Sequence, residues 1–143
     1  MERVVVDTNV LFEGLTKRGA CASVVDLWVR QEVTVCVSTA VALEYEDVLG
    51  RKLGGAKRAK ALPALQALLS RAEFVAVLTR VRPLSPDPDD DRVIECAYNG
   101  HASIVTRNLK DLRIAQEVLG VPVLAPEELL ELRKEGDDGP SDG

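Results

Sequence analysis

Five short apolar runs, separated by longer amphipathic stretches, set the pattern of the chain. Val4-Val5-Val6 places three β-branched residues together with no polar break, which reads as a buried parallel strand. Val33–Val37, Phe74–Val77, Ala102–Thr106 and Val121–Leu124 repeat the signal, the last as an edge strand that tolerates Pro122. Between these runs the apolar positions fall at helical spacing. They predict a short helix over Val10–Leu15, then Ala22–Gln31 with Trp28 in the core. A long helix follows from Ser38-Thr39 to about Leu53, with Val41, Val48 and Leu49 inward. Lys57–Arg71 turns Leu62, Leu65, Leu68 and Leu69 inward, and Pro63 should disturb its first turn. Arg82–Pro88 is a proline-stiffened connector leading to a helix opened by Asp89-Asp90-Asp91, and Arg107–Leu119 and Pro126–Lys134 supply the last two helical segments. Strands alternating with helices predict an α/β fold, a three-layer α/β/α sandwich around a mainly parallel sheet of four to five strands.

Length and composition narrow this to one domain. The chain has 143 residues, 46% of them hydrophobic and 29% charged, enough for a single core over residues 1–134. Residues 135–143 have the composition of an acidic, disordered tail. That tail supplies four acids and no base, so the formal charge of −5 leaves the body nearly neutral and does not argue against a polyanionic partner. There is no membrane-length apolar run and no leader-like N-terminus, so the expected compartment is the cytoplasm, with no membrane partner. Cys21, Cys36 and Cys96 are widely spaced and read as buried thiols. A lone histidine, His101, excludes chemistry that needs several imidazoles, and catalysis must rest on carboxylates.

Carboxylates recur where the strands end. Asp7 follows the first strand, Glu44 lies early in the helix after the second, Asp89–Asp91 open a helix, and Asn108 and Asp111 follow the fourth. In open α/β sheets these ends line the ligand crevice. Each acid also has a plain structural reading, Asp7 and Asp91 as helix caps and Glu44 and Asp111 as solvated acids. Their joint placement favours a site. Like charges 4 Å apart repel by roughly 4 kcal/mol at an effective dielectric of about 20, so such a cluster calls for a cation or for protonation. Oxygen donors without His or Cys select Mg²⁺ or Mn²⁺, and a carboxylate-held divalent ion suits phosphodiester cleavage.

Val-Asp-Thr-Asn at 6–9, Ser38 followed by Glu44, Asp-Arg-Val-Ile-Glu-Cys-Ala at 91–97 and Val-Thr-Arg-Asn-Leu-Lys-Asp-Leu at 105–112 together resemble the PIN domain family. The run Asp87-Pro-Asp-Asp-Asp is most similar to its toxin branch. The resemblance implies a Mg²⁺- or Mn²⁺-dependent endoribonuclease that cleaves single-stranded RNA, the toxin of a toxin-antitoxin pair, with an antitoxin protein as partner and homodimer formation. It also implies an acidic quartet of Asp7, Glu44, Asp91 and Asp111, with Asp7, Asp91 and Asp111 on the metal and Thr8, Asn9, Ser38 and Thr106 orienting it. Asn108 departs from the Asp that many relatives carry, which lowers the charge of the site and bears on whether one or two ions bind. Asp89 and Asp90 rival Asp91, which is preferred because Ile94 and Ala97 follow it and the helix dipole favours an acid at its first turn. Arg51, Lys52, Lys57, Arg58 and Lys60 form the densest basic stretch and are candidates for RNA phosphates. Two alternatives stand beside this reading. A phosphoryl-receiver domain would need paired acids after strand one, which Val6-Asp7-Thr8-Asn9 does not supply. A catalytically weak PIN-like domain that binds RNA or protein would account for Asn108.

Overall fold

A computed structural model of the chain describes residues 1–81 and 83–137. Its elements run β1 (Arg3–Val6), α1 (Thr8–Thr16), α2 (Ala20–Val29), β2 (Thr34–Val37), α3 (Thr39–Lys52), α4 (Gly55–Leu69), β3 (Glu73–Phe74), α5 (Pro88–Gly100), β4 (Ser103–Val105), α6 (Leu109–Leu119), β5 (Val123–Leu124) and α7 (Pro126–Asp137). The five strands pair in parallel in the order β3-β2-β1-β4-β5. Right-handed crossovers then place α1 to α4 over one face of the sheet and α5 and α6 over the other. This is the expected three-layer arrangement.

β1 lies at the centre and is fully enclosed: Val4, Val5 and Val6 expose nothing. Trp28 and Tyr45 are equally buried and meet with ring centroids 6.2 Å apart. The three cysteines are buried and free. β5 is an edge strand, and the carbonyl of Pro122 just before it accepts the Ile104 N–H at 2.8 Å. Among the described residues no helix is long and apolar enough to cross a membrane.

Three expectations need correction. The third strand covers Glu73–Phe74, not Phe74–Val77, because after the Val75 N–H bonds the Val37 carbonyl the chain leaves β2 and follows α5 instead. Pro63 lies inside α4, which starts already at Gly55, and Leu62 and Leu69 are only half-buried. The last helix runs to Asp137, so the acidic segment expected from residue 135 begins within α7; residues 138–143 lie outside the described residues.

Candidate active site

β1 delivers Asp7 to the C-terminal edge of the sheet. The Asp7 N–H extends the β1–β4 ladder to the Val105 carbonyl at 2.9 Å, and its carbonyl accepts the N–H groups of Val10 and Leu11. Asp7 therefore occupies the N-cap position of α1, yet its carboxylate makes no capping bond. It turns instead to the buried Thr106 at the end of β4, whose Oγ1 donates to Asp7 Oδ2 at 2.7 Å. The Asn108 N–H donates to that same hydroxyl at 2.9 Å, leaving its proton to Asp7. Asp7 is 7% exposed. Burial pushes its carboxyl above the ordinary range, the hydrogen bonds from Thr106 and the Thr8 N–H oppose this, and the charge of Asp87 adds to the rise.

α5 supplies the second acid, and here the geometry differs from the expectation. Asp90 is the residue turned inward, 8% exposed, with Ser85 Oγ donating to its Oδ2 at 3.1 Å. Burial raises its carboxyl to about 6, against the Ser85 hydrogen bond and with the charges of Asp7, Asp87 and Asp111 adding to the rise. Asp91 is committed elsewhere: its Oδ1 accepts the N–H groups of Leu84 and Ser85, both at 2.9 Å. The reason lies in helical spacing. Val93, Ile94 and Ala97, all buried, stand three, four and seven positions after Asp90, so Asp90 shares their stripe and Asp91 does not. That spacing was available in the sequence.

Of the other acids, Asp111 is near enough for its charge to raise Asp90, while Glu44 is set beside Asp89. Glu44 on α3 is largely enclosed and lies 3.8 Å from Arg92, which also pairs with Asp89 at 2.8 Å. Burial and then the charge of Asp89 raise the Glu44 carboxyl. Asp111, exposed in the first turn of α6, accepts from Asn108 Nδ2 at 3.0 Å. Thr8 is buried and Asn9 exposed. Ser38 is buried and its hydroxyl caps α3 by accepting from the Val41 N–H at 3.2 Å. The structure brings Ser85 and Asp87 to the same neighbourhood, Ser85 not singled out by the sequence and Asp87 only as the start of the Asp87-Pro-Asp-Asp-Asp run.

A family model described as PIN domain matches residues 3–110. The chain belongs to the PIN domain family. Its fold is similar to that of VapBC2 from Rickettsia felis bound to a DNA fragment from its promoter, with a TM-score of 0.62, 16% identity, and coverage of 86% of this chain and 98% of that one. It is also similar to DNA-bound VapBC from Salmonella typhimurium, with a TM-score of 0.61, 17% identity, and coverage of 88% and 99%. FitAcB from Neisseria gonorrhoeae aligns with a TM-score of 0.59, 16% identity, and coverage of 87% and 98%. No curated protein matches the chain.

In this PIN domain the donor set is all oxygen and suits a hard divalent ion. Among the described residues, no three acids stand close enough to hold an ion unaided. The raised carboxyls of Asp7 and Asp90 mark a place where positive charge would be stabilising.

The basic stretch of the PIN domain divides into two groups. Arg51 is paired with Asp47 at 2.8 Å, and Arg51 and Arg58 line a groove that also contains Glu46 and Asp47. Lys52, Lys57 and Lys60 line a different cleft of about 620 Å³, joined by Lys17 and floored by Phe12, Leu15 and Leu53. Lys52 Nζ sits 5.1 Å from the Phe12 ring centre. The α3–α4 hairpin separates the groups, so density along the chain did not translate into one surface.

Proposed function

We propose that this PIN domain is a Mg²⁺- or Mn²⁺-dependent endoribonuclease acting on single-stranded RNA, and the toxin of a toxin-antitoxin pair. The observation that carries this reading is the pair Asp7 and Asp90, two buried carboxylates with raised proton affinity, the charge of Asp7 adding to the rise at Asp90. Asp7 and Asp90 would hold the ion, with Asp111 at the rim and Glu44 beside Asp89 completing the acidic wall. A bound divalent ion at such a site supplies an activated water and charge for the leaving oxygen of a phosphodiester. The lysine-lined cleft, built on the C-terminal half of α1 and on α3 and α4, would take phosphates flanking the scissile one. PIN domains are generally nucleases, and the VapBC and FitAB structures similar in fold are toxin-antitoxin complexes, which supports an antitoxin protein as partner.

The test is incubation of the purified protein with end-labelled RNA and DNA oligonucleotides in Mg²⁺, Mn²⁺ or EDTA. Cleavage of RNA, lost in EDTA and in Asp7→Asn and Asp90→Asn, is the expected result. Folded protein that binds RNA without cutting it in any metal would favour the second reading, a catalytically weak RNA-binding PIN domain. The hydrogen bond that commits Asp111 to Asn108 is the feature on its side.

A further inference from the structure

α5 carries three acceptors one turn apart, Asp91, Glu95 and Asn99, and all three are spent on the segment that precedes the helix. Asn99 Oδ1 accepts the N–H groups of Leu78 at 3.1 Å and Thr79 at 2.9 Å, and its Nδ2 donates to the Thr79 carbonyl at 2.8 Å. Glu95 Oε2 accepts the Val81 N–H at 3.0 Å. Asp91 Oδ1 accepts those of Leu84 and Ser85. These backbone groups have left the sheet and need partners, and the side chains of α5 provide them rung by rung. The last rung fixes Ser85, which is buried. Its hydroxyl accepts the Asp87 N–H at 3.2 Å, and its proton is directed to Asp90 Oδ2.

We propose that residues 78–81 and 83–85 act as a strap, and that Asp91 and Ser85 are positioning residues that fix the orientation of the buried Asp90 carboxylate. What Asp90 then does rests on the nuclease reading; the strap itself does not. The geometry separates this role from that of a metal ligand. Asp91 uses one oxygen for both N–H groups, so Asn, which keeps a carbonyl oxygen there, preserves the rung while losing the charge. A ligand would need that charge. Asp91 thus reaches the site only through Ser85 and Asp90.

The experiment uses the full chain with Asp91→Asn, Asp91→Ala, Ser85→Ala and Asp90→Asn, read by amide hydrogen exchange without metal and by Mn²⁺ affinity from calorimetry. In Asp91→Asn the Leu84 and Ser85 amides should stay protected and Mn²⁺ affinity should match wild type. In Asp91→Ala both amides should exchange faster and Mn²⁺ should bind about tenfold more weakly, the equivalent of one lost hydrogen bond, although no ligand has been removed. Ser85→Ala should weaken Mn²⁺ while Leu84 stays protected, which keeps the idea testable if Asp91→Ala does not fold. Loss of Mn²⁺ affinity in Asp91→Asn as deep as in Asp90→Asn would make Asp91 a ligand and overturn the proposal. Unchanged affinity in both Asp91→Ala and Ser85→Ala would also overturn it. Wild-type protein that binds no Mn²⁺ would instead defeat the nuclease reading, and exchange alone would then decide: equal protection of Leu84 and Ser85 in Asp91→Ala and wild type removes the strap.

Discussion

Thr106 and Asp7, 99 residues apart, meet through one 2.7 Å hydrogen bond in which the hydroxyl is the donor. Because the Asn108 N–H occupies the hydroxyl's acceptor side, its single proton is aimed at the carboxylate. Thr106 thus stabilises the charged form of an acid that burial otherwise pushes toward protonation.

Removing that donor should therefore matter more than removing its methyl group. Thr106→Val leaves the Asp7 carboxylate short of a buried partner, at a cost of about 1–3 kcal/mol, and should move the acidic limb of the RNA-cleavage pH profile upward. Thr106→Ser should leave the limb in place. Asp7→Asn should fold and lose cleavage by orders of magnitude. Identical profiles for Thr106→Val and Thr106→Ser would show that the hydroxyl does not control Asp7.

The raised Asp90 carboxyl makes stability depend on pH with a definite sign. Its folded value of about 6 lies above the ordinary 3.8, so the folded protein binds this proton more tightly than the unfolded chain. The metal-free protein should lose stability as pH rises from about 4 to about 6, on the order of 2–3 kcal/mol for this group, and no more above that window. The raised Asp7 carboxyl acts in the same direction. Mn²⁺ at pH 7 should recover stability, and urea melts at pH 5 and 7 with and without Mn²⁺ measure both effects. A pH profile in Asp90→Asn that superimposes on wild type would count against the assignment.

Tyr45 holds α3 to the site. Its hydroxyl donates to the Val6 carbonyl at 2.5 Å, one residue before Asp7, in a fully buried position. Tyr45→Phe keeps the ring and leaves that carbonyl without its partner, so unfolding free energy should fall by about 1–3 kcal/mol. Since Glu44 precedes Tyr45 on the helix, cleavage should fall as well. Denaturant melts with an unchanged slope and unchanged midpoint would contradict this.

The two groups of bases should separate on salt titration. Replacing Lys52, Lys57 and Lys60 together by Gln should weaken binding of single-stranded RNA and lower the salt slope by roughly 0.7 for each phosphate left without its cation, raising KM more than it lowers kcat. Replacing Arg51 and Arg58 should change the slope little, because acids already share their groove. Equal effects of the two sets would restore a single basic surface.

Most of the scaffold could be read from local pattern. Val4–Val6 and Val33–Val37 announce buried strands, and the chain order of Asp7 and Thr106 follows from the strands that carry them. What escaped the sequence depends on partners that no local pattern names. Val75 and Val77 alternate as a strand would, yet the N–H groups that follow them go to α5. Tyr45 is polar at its tip and gives no sign in the sequence that a strand-end carbonyl waits for it. That Asp90 rather than Asp91 turns inward was legible, since its stripe with Val93, Ile94 and Ala97 is present in the sequence; counting from Asp91 conceals it.

The strand order has a consequence for the chain as it is made. β1 is synthesised well before its neighbour β4: the hydroxyl of Thr106 follows Asp7 by 99 residues, and Asp90 comes only shortly before it. Long-range parallel pairing must wait for its distant partner. A nascent chain stalled before β4 emerges carries Asp7 without Thr106, so a truncated product would lack the assembled cluster. Any activity of this site toward RNA would thus begin only after β4 has been made, a built-in delay between the synthesis of Asp7 and cleavage.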